Sequence, residues 1–192
     1  GTAYVYSLRE TGKVVANCHK LPASLFDRRR VGVDEMIRGW IPLIERLSDS
    51  NPELRIMFTV SPIRHLRDGA HENQLSKSVL LLFVDELCRM YPDRCIYFPS
   101  YEIVMDELRD YRFYDAGMTH PNEQAIRYIW ERFSEACFSE ETQTLNREWE
   151  RLEKALNHRP LTPDKDAFRD FTMQNLFKLK KIWEKYSYFD LS

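Results

Sequence analysis

Apolar residues recur along the chain at two different spacings, and the spacing changes from one segment to the next. Steps of three and four residues are typical of amphipathic helices, whereas short apolar runs that end at proline are typical of buried strands. The pattern predicts strands at 54–60 and 95–98 and helices at 36–47, 75–90, 101–109 and from about Pro121 onward. Because strands and helices alternate, we expect an α/β fold with a parallel sheet flanked by helices. The two strands should then lie parallel and adjacent, with the 75–90 helix as their right-handed crossover.

The N-terminal segment has the pattern of a β-hairpin. Residues 3–8 and 13–16 are rich in aromatic and β-branched residues and flank a turn at Glu10-Thr-Gly12. Since the chain opens directly on a strand, we expect residues 3–8 to form an exposed sheet edge. Such edges pair readily with another chain, which would give a homodimer. Arginines at 28–30 form a local basic patch that we interpret as a solvated turn.

The last third of the chain differs in character from the rest. Residues 139–158 and 165–186 have the pattern of two charged amphipathic helices, joined by a segment at 158–163 that contains two prolines. We therefore divide the chain into an α/β domain at 1–138 and a helical extension at 139–192. Two isolated helices need burial of their apolar faces to persist, so packing on the α/β body is favoured over an oligomer contact.

Composition excludes several classes of function. A formal net charge of −2 gives no general electrostatic field for nucleic acid or for anionic lipid. The four cysteines have irregular spacing and contain no C-x-x-C pair, so a disulfide framework is not expected. No apolar run approaches the roughly 20 residues that a membrane span needs. A signal peptide is also missing, and we expect the native start to precede Gly1. The compartment stays undecided, with the cytoplasm slightly favoured.

His120 is the first candidate for chemistry. It precedes Pro121 at the predicted entry of a loop into a helix, and Asp115 lies a few residues upstream. A histidine fixed at such a junction after a strand is well placed to act as a general base. The alternative interpretation is a surface or capping histidine.

Two further polar loops follow strand-like segments. The first carries Asn17 and His19, and the second carries Arg64 and His65 at the end of the most apolar strand. Because the carboxyl ends of parallel strands meet at one edge of a sheet, we expect His120, His65, Asn17 and Arg64 to converge on one cleft.

A metal site is the principal alternative for these histidines. Its candidate ligands are His19, His65, His71 and His120, with Asp68 or Asp115. No pair has the spacing of a compact ligand motif such as H-x-x-x-H, so we expect neither a metal nor another cofactor. A Cys18–His120 nucleophilic pair is disfavoured, because little around Cys18 would lower the pKa of its thiol.

A series of motifs, in order along the chain, resembles the GSCFA family, which is related to the SGNH/GDSL hydrolases. The resemblance covers residues 1 to about 138, and the helical tail is similar to the usual extension of that family. The motifs are Gly1-Thr-Ala-Tyr-Val-Tyr6, Asn17-Cys-His-Lys20, Val60-Ser-Pro-Ile-Arg-His65, Glu72-Asn-Gln-Leu-Ser-Lys77, Tyr97-Phe-Pro-Ser-Tyr-Glu102, Asp106-Glu-Leu-Arg-Asp-Tyr-Arg-Phe-Tyr114 and Met118-Thr-His-Pro121.

The resemblance implies an SGNH- or flavodoxin-like α/β fold and acyl transfer to water or to a carbohydrate hydroxyl. The substrate would be a small-molecule or carbohydrate ester, and the enzyme an esterase or acyltransferase with a serine nucleophile, a histidine base and preorganised oxyanion donors. By the same resemblance the serine belongs to a Gly-Ser-Cys-Phe-Ala stretch, which this sequence does not contain. We therefore expect the C-terminal portion of a longer protein, inactive as this fragment. The alternative is a binding or structural module that has lost its catalytic machinery.

The sequence also departs from the motifs of the SGNH enzymes at the base. His120 matches their histidine, but the position three residues earlier is Gly117 where they have aspartate. Asp115 is the nearest substitute, and we expect that it reaches His120 only after a local rearrangement. An imidazole without an acidic partner is less well oriented, and its cation is less stabilised.

The oxyanion donors are imperfect as well. Gly1 fits the glycine of the family, but Ala3 occupies the place of the asparagine, so Asn17 would have to supply the amide through the fold. Arg64, His65 and His19 complete the set of substrate-binding candidates.

Overall fold

Two short parallel strands organise the first part of the chain in the computed structural model, which describes residues 1–16, 18, 20–157 and 165–186. Strand β4 (Ile56–Phe58) pairs with β5 (Cys95–Tyr97), with Ile56 opposite Cys95 and Phe58 opposite Tyr97. Helix α2 (Ala70–Met90) connects them. The predicted parallel, adjacent pairing and the α/β class are therefore confirmed, although this parallel sheet has two strands in the described part of the chain.

The hydrophobic core lies where α2 and helix α1 (Val33–Ser50) cover these strands. Trp40, Phe58 and Phe83 meet edge to face or tilted, with ring centroids 5.2–6.2 Å apart. The buried members of the core are Ile44, Val60, Phe83, Val84, Leu87 and Cys95. The apolar spacing of α1 therefore predicted both the helix and its buried face, and Pro42 is accommodated inside it.

The N-terminal strands form a separate antiparallel sheet in the order β2-β1-β3. Strands β1 (Tyr4–Leu8) and β2 (Val14–Val15) form the predicted hairpin, whose turn contains Gly12 at φ +67°. Strand β3 (Phe26–Arg30) pairs along the whole other side of β1. The expectation that residues 3–8 form an exposed edge is therefore wrong, and a homodimer through that edge loses its structural basis.

Strand β3 also corrects the interpretation of the three arginines as a turn. Arg28 pairs with Asp68, Arg29 with Glu35 and Arg30 with Glu72, so each charge has an acidic partner while the backbone continues the sheet. The local charge pattern indicated a solvated turn because two of these partners, Asp68 and Glu72, lie 40 and 42 residues further along the sequence.

The segment after β5 leads to the His120 helix. Helix α3 (Ser100–Glu102) continues as a π-helical turn at Ile103–Leu108, which matches the predicted helix at 101–109. Helix α4 (Glu123–Cys137) begins two residues later than predicted. The reason is local: Asn122 caps the helix by accepting a hydrogen bond from the Ala125 N–H through Oδ1 at 3.0 Å.

The chain divides into two compact units, residues 1–131 and 132–192, with the division inside α4. The second unit contains α5 (Glu140–Leu156), capped by the Ser139 hydroxyl, and α6 (Lys165–Lys185). Both helices match their predictions closely. Residues 158–163, the predicted connection, lie outside the described residues, and the domain boundary at 138 stays a prediction. Every helix in the described ranges is too short or too polar to span a bilayer.

Candidate functional site

A tight hairpin at residues 114–121 brings the two catalytic candidates together. Tyr114 and Pro121 form an isolated antiparallel bridge. Inside it, the Asp115 N–H donates to the His120 carbonyl at 2.8 Å, and the Met118 N–H donates to the Asp115 carbonyl at 2.9 Å. Met118 adopts φ +58° to close the turn. The backbone therefore places Asp115 directly across from His120.

The side chains of this hairpin surround one nitrogen of the imidazole. His120 Nδ1 lies 3.0 Å from the Thr119 hydroxyl and 3.7 Å from Asp115 Oδ2. Asp115 Oδ1 accepts from the N–H groups of Thr119 and His120, each at 3.4 Å. The turn already places the carboxylate beside the ring, but at 3.7 Å it is longer than a hydrogen bond, so the expected local rearrangement stays a prediction. In the tautomer in which Nδ1–H donates to the Thr119 hydroxyl, Nε2 is the ring nitrogen that can accept a proton.

Gly117 does not determine this geometry by its size. A Cβ built there would lie 3.4 Å from Asp115 Oδ1 and 3.6 Å from the Thr119 hydroxyl oxygen, both ordinary contacts. An aspartate at this position would set a second carboxylate beside the first.

Arg64 connects the loop after β4 to the His120 hairpin. Its N–H donates to the Thr119 carbonyl at 2.9 Å, and Nη1 approaches the Met118 carbonyl at 3.5 Å. The guanidinium carbon lies over the Tyr114 ring at 4.2 Å from the centroid and 5.1 Å from that of Tyr111. Arg64 and the His120 hairpin are thus brought together by these contacts rather than by the sheet edge, because the hairpin follows a helical segment and not a strand of the β4–β5 sheet.

His65 lies deeper in the same loop. Its N–H donates to Asn73 Oδ1 at 2.9 Å, and its Nε2 is buried without a hydrogen-bond partner in the described part of the chain. Burial, followed by the positive charge of Lys77, lowers the pKa of His65, and the charge of His120 acts in the same direction. The imidazole of His65 is therefore neutral near pH 7, and it lies within electrostatic reach of His120.

Lys77 is the most buried large polar residue of the site, with 2% of its surface exposed. Its ammonium donates to the Ser61 carbonyl at 2.5 Å and to the Gly1 carbonyl at 3.0 Å. Burial lowers the pKa of Lys77 to about 8. Lys77 thereby ties the loop after β4 to the start of the chain, and it places Gly1 in this polar cluster.

Comparison with family models identifies the chain. The model described as the GSCFA family matches residues 1–133. The chain belongs to the GSCFA family. A second model, the C-terminal domain of GSCFA domain proteins, matches residues 149–192. Comparisons with curated proteins and with solved structures give no significant match.

Sequence reasoning missed the polar face of α2 in this GSCFA chain. Asn73, Ser76 and Lys77 are all buried, at positions i, i+3 and i+4 of the helix. The Ser76 hydroxyl accepts from the Ala3 N–H at 2.7 Å. A helical step of polar residues was the available signal, but polar faces normally face solvent, so the spacing alone predicted no site.

The remaining candidates are placed less completely. Asn17 and His19 lie outside the described residues. His120, His65 and Arg64 lie near one another, and their convergence on one cleft stays a prediction. In the part of the chain that is described, no group of three or more His, Cys, Asp or Glu side chains is arranged to hold a metal ion. The described residues therefore give the metal alternative no support.

Proposed function

We propose that this chain supplies the general base of an acyl-transfer site, in a hydrolase or acyltransferase that acts on ester or O-acyl groups, including those of carbohydrates. The Asp115–Thr119–His120 arrangement carries the proposal, because an imidazole held at Nδ1 and free at Nε2 is arranged to accept a proton. GSCFA membership supports the class of chemistry by resemblance.

The proposed step is proton transfer coupled to attack at an acyl carbon. As the hydroxyl oxygen of the nucleophile bonds to the acyl carbon, its proton moves to His120 Nε2 and the carbonyl electron pair becomes an oxyanion. Collapse of the oxyanion expels the alcohol, which takes the proton back from His120. Asp115 stabilises the imidazolium that exists between the two transfers, and Thr119 orients the ring.

The attacking hydroxyl is assigned by resemblance to a Gly-Ser-Cys-Phe-Ala stretch, which is not present in these 192 residues. Gly1 and Asn17 are the proposed oxyanion donors. His65, Arg64 and His19 are proposed to contact the substrate.

The test is ester turnover by the full-length gene product, with 4-nitrophenyl acetate as the first substrate. We expect His120→Ala to lower kcat by about 10²-fold or more, since general-base catalysis contributes about 10²–10⁴. Its far-UV spectrum and midpoint of unfolding should stay unchanged, because the side chain is 60% exposed. Gln124→Ala, an exposed position in the first turn of α4, is the matched control and should retain full turnover.

A non-catalytic binding module is the second candidate, favoured by the 3.7 Å separation of Asp115 and His120, which is longer than a hydrogen bond. Wild-type protein that turns over no short-chain or carbohydrate ester would favour this candidate. Turnover that His120→Ala leaves unchanged would remove His120 as the base.

A further inference from the structure

A small pocket lies beside the His120 hairpin, against the π-helical turn at Ile103–Leu108. Its volume is about 140 Å³, and its polar lining comes from Arg64, Arg109, Asp110, Tyr111 and Tyr114. One water occupies roughly 30 Å³ in the liquid, so the pocket has room for a group of several heavy atoms. The proposed proton transfer uses none of these side chains.

Tyr114 points to a ligand in this pocket. The residue is 8% exposed, and its hydroxyl is buried with no partner at hydrogen-bonding geometry among the described residues. Burial raises the pKa of the Tyr114 phenol, against the opposing effect of the Arg64 charge. The phenol therefore stays protonated at neutral pH and keeps one O–H donor. Buried polar groups are normally satisfied, so an unused donor on a pocket wall indicates a missing acceptor.

Arg64 supplies the charge that such an acceptor would need. The rings of Tyr111 and Tyr114 hold its guanidinium by stacking, and it forms no ion pair with any residue in the described ranges. Its contact with the Met118 carbonyl is long, at 3.5 Å, and it also approaches the Tyr114 oxygen, so part of the donor fork is unused. A preoriented guanidinium fork is the group that proteins use for planar or tetrahedral oxyanions.

The other charges around the pocket leave it cationic. Arg109 lines it from a left-handed backbone position, at φ +34°. Asp110 is the only acid in the lining, and it is engaged elsewhere: its Oδ1 accepts from the Arg112 N–H at 2.9 Å and Oδ2 lies 3.7 Å from Arg112 Nε. The pocket lining thus contains two guanidinium groups and a phenol donor, but only one carboxylate, and that carboxylate already has a partner.

We propose that this pocket binds an oxyanionic group of the substrate, a carboxylate or a phosphate, through the Arg64 fork and the Tyr114 hydroxyl. The proposal rests on the proposed acyl transfer for its link to catalysis. Arg64 is hydrogen-bonded through its backbone to Thr119, the neighbour of His120, so a bound anion lies against the hairpin that carries the base. The substrates are then esters that carry a negative charge a few atoms from the acyl carbon.

Equilibrium binding of inorganic phosphate and of succinate to the full-length protein tests the pocket without any need for turnover. By titration calorimetry we expect Arg64→Gln to weaken binding of the preferred anion at least tenfold and Tyr114→Phe to weaken it several-fold. Arg38→Gln, an exposed arginine on α1, is the matched control and should bind like wild type. Preference for succinate indicates a carboxylate-bearing substrate, and preference for phosphate indicates a phosphorylated one.

Thermal unfolding of the same variants separates binding from folding. Because the Tyr114 O–H has no acceptor among the described residues, Tyr114→Phe should keep or raise the midpoint of unfolding while it weakens anion binding. If Arg64→Gln unfolds, Arg64→Lys keeps the charge without the fork and should still bind more weakly than wild type. Equal anion binding by wild type, Arg64→Gln and Tyr114→Phe, or no binding by wild type at millimolar anion, overturns the proposal.

Turnover then distinguishes this proposal from the proposed function. A 4-nitrophenyl hemisuccinate should have a kcat/KM at least tenfold above that of the neutral acetate, and Arg64→Gln should abolish the difference. Anion binding in a protein without esterase activity sustains the pocket and removes the acyl-transfer function. Turnover with no preference for charged esters removes the link between the pocket and the substrate.

Discussion

At the scale of single residues, the position of Asp115 decides whether His120 has an acidic partner. The sequence predicts both residues but not their contact, because the family spacing would need an acid at Gly117. The turn closed by Met118 at φ +58° places residues 115 and 120 opposite each other instead. The Asp115 carboxylate, five residues away along the chain, therefore lies 3.7 Å from the ring nitrogen Nδ1 of His120. Sequence spacing alone does not reveal this proximity.

Lys77 is the residue whose burial has the clearest measurable consequence. Only 2% of the surface of Lys77 is exposed, so its ammonium group loses most of its hydration, and two backbone carbonyls replace part of it. Its charged form is therefore less favourable in the folded chain than in the unfolded one, which is why its pKa falls from 10.5 to about 8.

This difference predicts how stability depends on pH. Between about pH 8 and pH 10.5 the unfolded lysine still binds a proton that the folded lysine has released, so the free energy of unfolding rises with pH in this window. The shift corresponds to roughly 3 kcal/mol, and below about pH 8 the contribution of Lys77 is constant. Urea denaturation of wild type and Lys77→Met across this range measures it as the difference between the two curves.

The control for this experiment is Lys13→Met, which removes an exposed lysine from the N-terminal hairpin. The variant should keep the pH dependence of wild type, whereas Lys77→Met should lack the rise that belongs to Lys77. Parallel pH curves for wild type and Lys77→Met would show that the buried ammonium has an ordinary pKa.

At the scale of elements, hydrophobic periodicity predicted the helices and the parallel strand pair. It succeeded for α1, α5 and α6 because their apolar residues form one stripe. It placed the start of α2 five residues late, since the first turns of that helix bury Asn73, Ser76 and Lys77 rather than apolar side chains. It missed β3 because the acidic partners of Arg28 and Arg30 are distant in sequence.

Helix α2 consequently has two functions along its length. Its N-terminal half supplies the polar side chains under the site, and its C-terminal half supplies Phe83, Val84 and Leu87 to the core between α1 and the parallel strands. The site is thus supported by the same rigid element that holds the core together. We infer that loss of core packing at the end of α2 weakens the fold without touching the site chemistry.

Leu87→Ala tests the packing of α2. The side chain is fully buried, so the substitution should lower the free energy of unfolding by about 2–5 kcal/mol. Leu82→Ala on the same helix is the matched control: Leu82 is 61% exposed, and its loss should cost less than about 1 kcal/mol. Denaturant unfolding measures both, and an equal cost for the two variants would contradict the burial of Leu87.

At the scale of the whole molecule, family and fold class were predictable, whereas the complete site was not. The order of the motifs identified the family, and the alternation of elements identified the α/β class. Of the predicted site residues, the structure brings together His120, Asp115, Arg64 and His65, and it joins Gly1 to them through Lys77. Lys77, for example, donates to carbonyl groups that lie 16 and 76 residues away along the chain. Contacts over such separations cannot be read from a single sequence.

The most direct test of the acyl-transfer site is a double-mutant cycle on the full-length protein, measured as kcat/KM for an ester that the wild type turns over. If Asp115 acts through His120, Asp115→Asn should lower kcat/KM by about tenfold or more, and His120→Ala by about 10²-fold or more. The double variant should then be no slower than His120→Ala alone, because the pair works as a unit. Losses that multiply in the double variant, or an Asp115→Asn variant as active as wild type, would contradict a shared role for the two residues in proton transfer.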